Sequence, residues 1–470
     1  MIKWVSFALG IALVAGCETE PEVPPVQPVV QPPPSAELRS KPVEDPLLIG
    51  RALLRQKRYA DALEVYGEAR KRHPQSGEVL ATLGRIHLAL GQPEEAVQFY
   101  EMAVALESDQ PEWLVALGNV HLKLSRYDEA HAAFASALAL DSTYAPARRN
   151  KAAVYSKQGR LGDAAHEYER ALALRPEHLH TRFNLGLVYS SLGRYADASE
   201  ALQQVLVAAP KNARALYAMG EIKLQEGDAE GAVEYFERTL AADTTYAEAH
   251  LQLGRIQMGQ NDLAAAAERF RRAILIEPGL AESFRLLGQI HLRQGRETAG
   301  EKSFAAYEKV KQVEGDIQRY RERLRSDPDD ADAHYSLGFM YNRLGFTGVA
   351  LPHYAQAVRI NPGHVQALNN MGNIYLRTGH FDQAAAAYQQ IIEQDPEHMA
   401  AFAALGQVYL NQQRTDEAIA MLNRALALDE NWLGAHQALA EAYKRLGQIA
   451  KSEEHKRMAD ALLRKQKDDQ

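Results

Sequence analysis

The chain has 470 residues, 53 basic and 61 acidic side chains, and a formal net charge of −8. That balance lacks the basic footprint of a nucleic-acid binder, so no nucleic-acid partner is expected. A single cysteine, Cys17, excludes an intrachain disulfide and any multi-cysteine zinc motif. Ala, Leu, Glu, Gln and Arg are abundant and favour helix. No run alternates β-branched residues as a strand would.

Met1-Ile2-Lys3 precede an apolar run from Trp4 to Ala15, and Gly16-Cys17 follow. A basic start, a short apolar stretch and small residues at the cut read as a signal peptide over 1–16. The run is too short for a comfortable membrane-spanning helix. Val14-Ala15-Gly16-Cys17 resembles the bacterial lipobox. That resemblance implies cleavage before Cys17, acylation of Cys17 (palmitate among the chains), and a membrane partner through the anchor. Glu18 stands where aspartate signals inner-membrane retention in enterobacteria-like sorting, so the resemblance points to an outer-membrane lipoprotein facing the periplasm. Residues 17–46 form the lipidated cysteine and a tether. Nine of the chain's twenty prolines fall in this stretch and favour extended polyproline II.

From residue 43 a 34-residue beat takes over. Gly50, Gly84, Gly118, Ala152, Gly186, Gly220, Gly254 and Gly288 stand one stride apart; after a break Gly338, Gly372, Gly406 and Ala440 resume it. Twelve residues past each is Ala, Gly or Ser, as at Ala62 and Ala130. Sixteen past is a large residue, mostly aromatic, as at Tyr100, Phe134 and Tyr388, with Lys456 ending the series. A period in this range denotes stacked supersecondary units. Each unit holds two helical patterns around a short polar turn such as Gly193-Arg194-Tyr195. The small residues let the two helices approach, and prolines such as Pro176 and Pro396 end the second helix. One pair cannot bury its apolar face alone, so neighbours must stack.

These columns resemble the tetratricopeptide repeat, a helix–turn–helix unit of 34 residues. The resemblance implies an all-α, right-handed superhelical α-solenoid of about twelve units. Units one to eight occupy 43–314, and units nine to twelve occupy 331–466 with a capping helix before a tail at 467–470. Between them, the stride from Gly288 to Gly338 is sixteen residues too long, which defines a helical insertion at 315–330. Phe304, Tyr307, Val310, Ile317, Tyr320 and Leu324 fall mainly at helical spacing, so the second helix of unit eight extends or an extra helix follows.

In chain order, units one to three are regular. His87, His121 and His291 replace the tyrosine of one column, and His250, His334 and His436 share another where the family often carries histidine. All are read as packing residues. No His-Glu-x-x-His helix occurs, so neither metal nor cofactor is expected. In unit four, Arg148 and Lys151 fall on columns that are apolar elsewhere. An unpaired buried charge is costly, so this helix is either loosened, with its charges in solvent, or part of a basic binding patch.

The resemblance further implies that first helices line a concave groove that takes a protein or peptide ligand. In units three to six its positions hold Asn119 and Lys123, Arg149 and Lys157, His180 and Phe183, Arg214 and Tyr217, with Asn150 and Asn184 beside them. Arg and Asn donate to carboxylate and backbone oxygens, which suits an extended acidic peptide. Arg149, Asn184 and Arg214 partly resemble the carboxylate clamp of chaperone-binding repeats, but Ala153 and Ala218 replace the Asn and Arg of that clamp. A second patch holds Tyr335, Phe339 and Asn342, then Asn369, Asn370, Asn373 and Arg377. It loosely resembles the asparagine ladder of protein O-linked N-acetylglucosamine transferases, interrupted here by Ala404 and Ala438.

Repeats fill the chain, and no phosphate loop, Gly-x-Ser-x-Gly elbow or metal signature occurs. The expectation is therefore not an enzyme but a lipid-anchored scaffold or adaptor in the bacterial envelope, serving assembly, secretion or cell-wall regulation. One alternative is a polysaccharide-binding or export component, with Phe183, Tyr217, Tyr335 and Phe339 stacking on sugars. Another is the recognition subunit of a partner enzyme such as a glycosyltransferase. Repeats of this kind sometimes self-associate, so a homo-oligomer stays open.

Overall fold

The computed structural model describes residues 46–468; the signal peptide, Cys17 and most of the proline tether lie outside them. Among the described residues all regular structure is helical, in twelve pairs. The first six are α1 (Pro46–Arg55) with α2 (Tyr59–Arg72), α3 (Gly77–Ala89) with α4 (Pro93–Leu106), α5 (Pro111–Lys123) with α6 (Tyr127–Leu140), α7 (Ala145–Lys157) with α8 (Leu161–Leu174), α9 (Leu179–Ser191) with α10 (Tyr195–Ala208), and α11 (Ala213–Gln225) with α12 (Ala229–Ala242). Then come α13 (Ala247–Gly259) with α14 (Leu263–Ile276), α15 (Ala281–Arg293) with α16 (Glu297–Ser326), α17 (Ala331–Arg343) with α18 (Thr347–Ile360), α19 (Val365–Arg377) with α20 (Phe381–Gln394), α21 (Met399–Asn411) with α22 (Thr415–Leu428), and α23 (Leu433–Arg445) with α24 (Ile449–Asp468). The chain divides into two compact units, one through Ala249 and one from His250 onward.

The small-residue columns set the spacing within each pair. A Cβ added at Gly118 would lie 2.5 Å from the Phe134 ring, so only glycine lets that ring seat without shifting. Phe134 is fully buried, as is Ala130 one turn before it. Burying such a ring contributes roughly 1.5–3 kcal/mol. Tyr168, Phe236, Tyr354 and Tyr388 fill the same place in their own repeats. Every turn within a pair passes through a left-handed residue seven past the small-residue column. Glycine takes that place at Gly193 (φ 73°) and Gly379 (φ 80°), and Lys57, Ser125, Asn261 and Gln413 take it elsewhere.

The charged columns of unit four and the break in the period are each closed by a buried carboxylate. In the first unit, α7 is a regular helix with Arg148 buried, so it is neither loosened nor a free basic patch at that point. Glu167 of α8 pairs with Arg148 Nη1 and with Lys151 Nζ, both at 3.2 Å. Arg148 also donates to the Ser142 carbonyl at 2.6 Å. In the second unit, the sixteen additional residues lengthen α16 to a continuous helix of 30 residues. Val310 and Ile317 are buried along it, and Tyr320 and Leu324 pack partly buried. Glu277, just after α14, accepts from Gly279 N at 2.8 Å and from the Tyr341 hydroxyl at 2.5 Å. Its second oxygen lies 3.1 Å from Arg321 Nε on the extended part of α16. Glu277 thus joins α14, α16 and α17.

Candidate binding faces on the first helices

Within each unit the first helices of successive pairs touch: α5 with α7 and α9 with α11, then α17 with α19 and α21 with α23. Side chains at matching positions on them therefore form a strip.

In the first unit that strip is polar and cationic. Asn119 and Asn150 are both buried, and Asn150 donates to Asn119 Oδ1 at 2.7 Å, tying α7 to α5. Arg149 donates to Asn150 Oδ1 at 3.3 Å, and its Nη1 lies 2.8 Å from His178 Nε2. The other ring nitrogen of His178 faces the Thr181 N–H and hydroxyl and caps α9. Arg214 lies with its guanidinium 4.7 Å from the centre of the buried Phe183 ring. Tyr217 stacks on Tyr246 at 4.9 Å and donates to Glu221 at 3.0 Å. Asn184 is buried beside His180, and its Oδ1 has no hydrogen-bond partner. Burial pushes the neighbouring Tyr168 hydroxyl up to about 12, against the pull of Ser156 and Asn184. Lys123 and Lys157 are exposed at the helix ends.

One column explains why Arg149 is available. Arg285 on α15 occupies the same place three residues before its glycine, and there Glu282 grips it through Nε at 2.6 Å and Nη2 at 2.5 Å. Burial opposes the Glu282 charge, yet Arg285 and Arg255 hold its carboxyl below the usual carboxylate range. Pro146 stands where that glutamate would be for Arg149.

The second unit's strip is neutral and aromatic at its start. Tyr335 packs against Phe339 at 6.3 Å, Tyr354 at 6.0 Å and His364 at 4.8 Å, and Phe339 is 41% exposed. Asn370 donates to the Tyr354 hydroxyl at 3.3 Å, and Asn373 accepts from Tyr388 at 2.8 Å. These two asparagines thus hold tyrosines of the second helices. Asn342 and Asn369 are half-buried, and Arg377 is exposed.

The sequence reading saw the column of His250, His334 and His436 but missed its partner column 19 residues on. One lies on the first helix, four before the glycine; the other lies on the second helix. They hold Arg148 with Glu167, His250 with Arg269, His334 with His353, and His436 with His455. The first-helix member repeatedly donates to the carbonyl six residues earlier: Arg148 to Ser142, Arg182 to Pro176, His334 to Pro328 and His436 to Glu430. The recurring spacing of 19 between polar residues was the available signal. Histidine at a helix N-cap was another, since His364 and His398 also accept from the backbone N–H three residues on.

Among the described residues no three or more His, Cys, Asp or Glu gather as an ion would require. Among them, too, no helix is long and apolar enough to cross a membrane.

An array of stacked helix pairs with this period defines a repeat protein, and the family comparison agrees. Tetratricopeptide-repeat models match residues 53–119, 115–178, 156–222, 223–290, 329–397 and 369–432. The chain belongs to the tetratricopeptide repeat family. No curated protein matches it. Among solved structures it is similar to PilF of Pseudomonas aeruginosa, at 20% identity over 41% of this chain and 88% of that one, TM-score 0.38. It is also similar to PilW, described as a widely conserved type IV pilus biogenesis factor, at 18% identity over 46% of this chain and 97% of that one, TM-score 0.41. A third is YrrB, described as a tetratricopeptide-repeat protein with an unusual peptide-binding site, at 22% identity over 39% of this chain and 95% of that one, TM-score 0.34. These likenesses concern the fold.

Proposed function

We propose that the protein is a non-catalytic adaptor, held to the bacterial outer membrane by lipid on Cys17, that binds an extended segment of a partner protein along its first helices. The Val14-Ala15-Gly16-Cys17 run supports the anchor, and the proline-rich stretch to Pro46 supports a spacer between lipid and repeats. The family supports protein or peptide binding. The observation that carries the choice of ligand is Arg149. It lies against an imidazole, whereas Arg285 in the same column is gripped by a carboxylate. With the exposed Lys123 and Lys157 on the same strip, it favours an acidic segment, which would supply the carboxylate that Pro146 leaves out.

Two experiments test this. Labelled palmitate should enter the protein in bacterial cells and fail to enter Cys17→Ser; equal labelling of both would remove the anchor. Affinity capture from an envelope extract should retain a protein that Arg149→Glu/Arg214→Glu loses and Asn370→Ala/Asn373→Ala keeps or weakens. Capture unchanged by either pair would sink the assignment of these faces. A second reading, polysaccharide binding, is favoured by the exposed Phe339 beside Tyr335. Retention on polysaccharide, lost in Phe339→Ala and with no protein captured, would put it first.

A further inference from the structure

His178 caps the start of α9, and the cap decides where its proton sits. Its Nδ1 accepts from the Thr181 N–H at 3.2 Å, so that nitrogen holds a lone pair and the neutral ring carries its proton on Nε2. Nε2 is therefore a donor. Arg149 Nη1 lies 2.8 Å from it, and a guanidinium only donates. Two N–H groups thus converge on one place. Both side chains are half-buried, so a ligand reaches them. Arg149 is steadied there by its bond to Asn150, which the buried Asn119 holds in turn.

The same two positions recur in the second unit, each time with a carboxylate. Arg285 occupies the column of Arg149, and Glu282, three residues before it, grips it. His364 occupies the place of His178 and caps α19 through Nδ1. Its Nε2 faces Asp332 Oδ1 at 3.6 Å. Glu282 and Asp332 stand in one column, six before the small-residue column of their repeats. In the repeat of Arg149 that place belongs to Pro146. Both donors therefore lose the same carboxylate. Glu177, next to His178, is exposed and lies 3.9 Å from Arg175. Glu112 acts on Tyr144 at the start of α7. Neither stands where Glu282 and Asp332 do.

We propose that Arg149 Nη1 and His178 Nε2 together form a site for one side-chain carboxylate, from an aspartate or glutamate of the partner segment. Each oxygen takes one N–H, the side-by-side arrangement that gives bidentate pairs their strength and direction. His178 stays neutral and keeps its cap on α9. The proposal rests on the reading of the first strip as the face for an acidic segment. It adds a second donor and a fixed register: an acidic residue of the ligand stands between Arg149 and the start of α9.

The test is fluorescence anisotropy of a fluorescein-labelled hexaglutamate peptide with the full-length protein and its variants. His178→Asn removes the Nε2 donor and keeps a cap, as Asn212 caps α11 through its side-chain oxygen at 3.1 Å. Pro146→Glu returns the carboxylate to the column. His398→Asn changes a histidine cap elsewhere in the array. The expected result is that His178→Asn weakens the probe about three- to tenfold, Pro146→Glu at least about tenfold, and His398→Asn not at all. Circular dichroism of each variant checks that helix content is retained. Unchanged binding by His178→Asn overturns the site, and so does Pro146→Glu binding as tightly as the parent. Should both bind like the parent while Arg149→Glu/Arg214→Glu does not, the acidic-segment reading stands and only the seat of the carboxylate is wrong. A parent that leaves the probe free also overturns the site; the reading falls with it only when envelope capture is indifferent to Arg149→Glu/Arg214→Glu as well. Displacement of the probe by inorganic phosphate at lower concentration than by glutarate overturns the choice of a carboxylate.

Discussion

The two strips of first-helix side chains share one scaffold and differ in chemistry. In the first unit, Arg149 and Arg214 lie against an imidazole and a phenyl ring, among buried asparagines that bond to each other or to a neighbouring histidine. In the second, Tyr335 and Phe339 lead, and Asn370 and Asn373 hold tyrosine hydroxyls of the second helices. The first strip is thus charged and built across first helices; the second is neutral and fastened to the layer behind it. A charged strip selects by electrostatics and responds to salt, while an aromatic strip selects by shape.

The supports beneath these strips should fail most severely. Glu167→Ala removes the carboxylate that pairs with both Arg148 and Lys151 of α7. Glu277→Ala strips Arg321, Tyr341 and Gly279 of their common acceptor. Removing one partner of a buried pair costs about 3–5 kcal/mol. Urea unfolding followed through Trp113 in the first unit and Trp432 in the second should show each loss in its own unit. Equal shifts at both tryptophans, or a shift under about 1 kcal/mol, would mean that these carboxylates do not hold their regions.

Acid should separate the units next. Burial, then the neighbouring His334, pushes the His353 imidazole down to about 4. Burial also lowers His334 and His455. A histidine held neutral in the fold binds its proton more readily when unfolded. Stability is therefore full above about pH 6.5 and falls as pH drops toward 4, by on the order of 2–3 kcal/mol for His353. His353→Gln should flatten that loss in the second unit. In the first unit, His121 and His131 shift the same way, also through burial, so its acid loss should be present but untouched by the substitution. Trp432 fluorescence against pH reads the difference.

Binding should then respond to charge. Arg149→Glu/Arg214→Glu should weaken an acidic ligand by at least about tenfold at low salt, with the gap narrowing as salt rises. A salt-independent loss would point to misfolding or to an apolar ligand.

The array was legible because a 34-residue stride repeats its small and large columns, and geometry leaves few other ways to bury them. Gly118 against Phe134 is readable from spacing alone. The contacts across columns were not. Arg148 and Lys151 looked like surface or binding charges because Glu167 lies on another helix, 19 and 16 residues on, and nothing local marks it as their partner. Glu277 was hidden further, since Tyr341 is 64 residues away and Arg321 sits on the irregular stretch that breaks the stride. The asparagines of the second strip were readable as a ladder but not as holders of tyrosine hydroxyls, which depends on how deep each ring reaches.

The smallest effect on stability should come from Phe339. Its ring is 41% exposed, lies 6.3 Å from Tyr335 and has Arg343 above it at 5.9 Å. It buries little and closes no hydrogen-bond network, so Phe339→Ala should change unfolding free energy by only about 0.5–1 kcal/mol. An aromatic residue left this open on the proposed binding face should matter far more to binding than to folding. Phe339→Ala should therefore weaken a ligand of the second strip, protein or glycan, while leaving the salt dependence of the first strip unchanged. If instead stability fell by several kcal/mol, Phe339 would be part of the packing of α17 and the second strip would lose its claim to be a binding face.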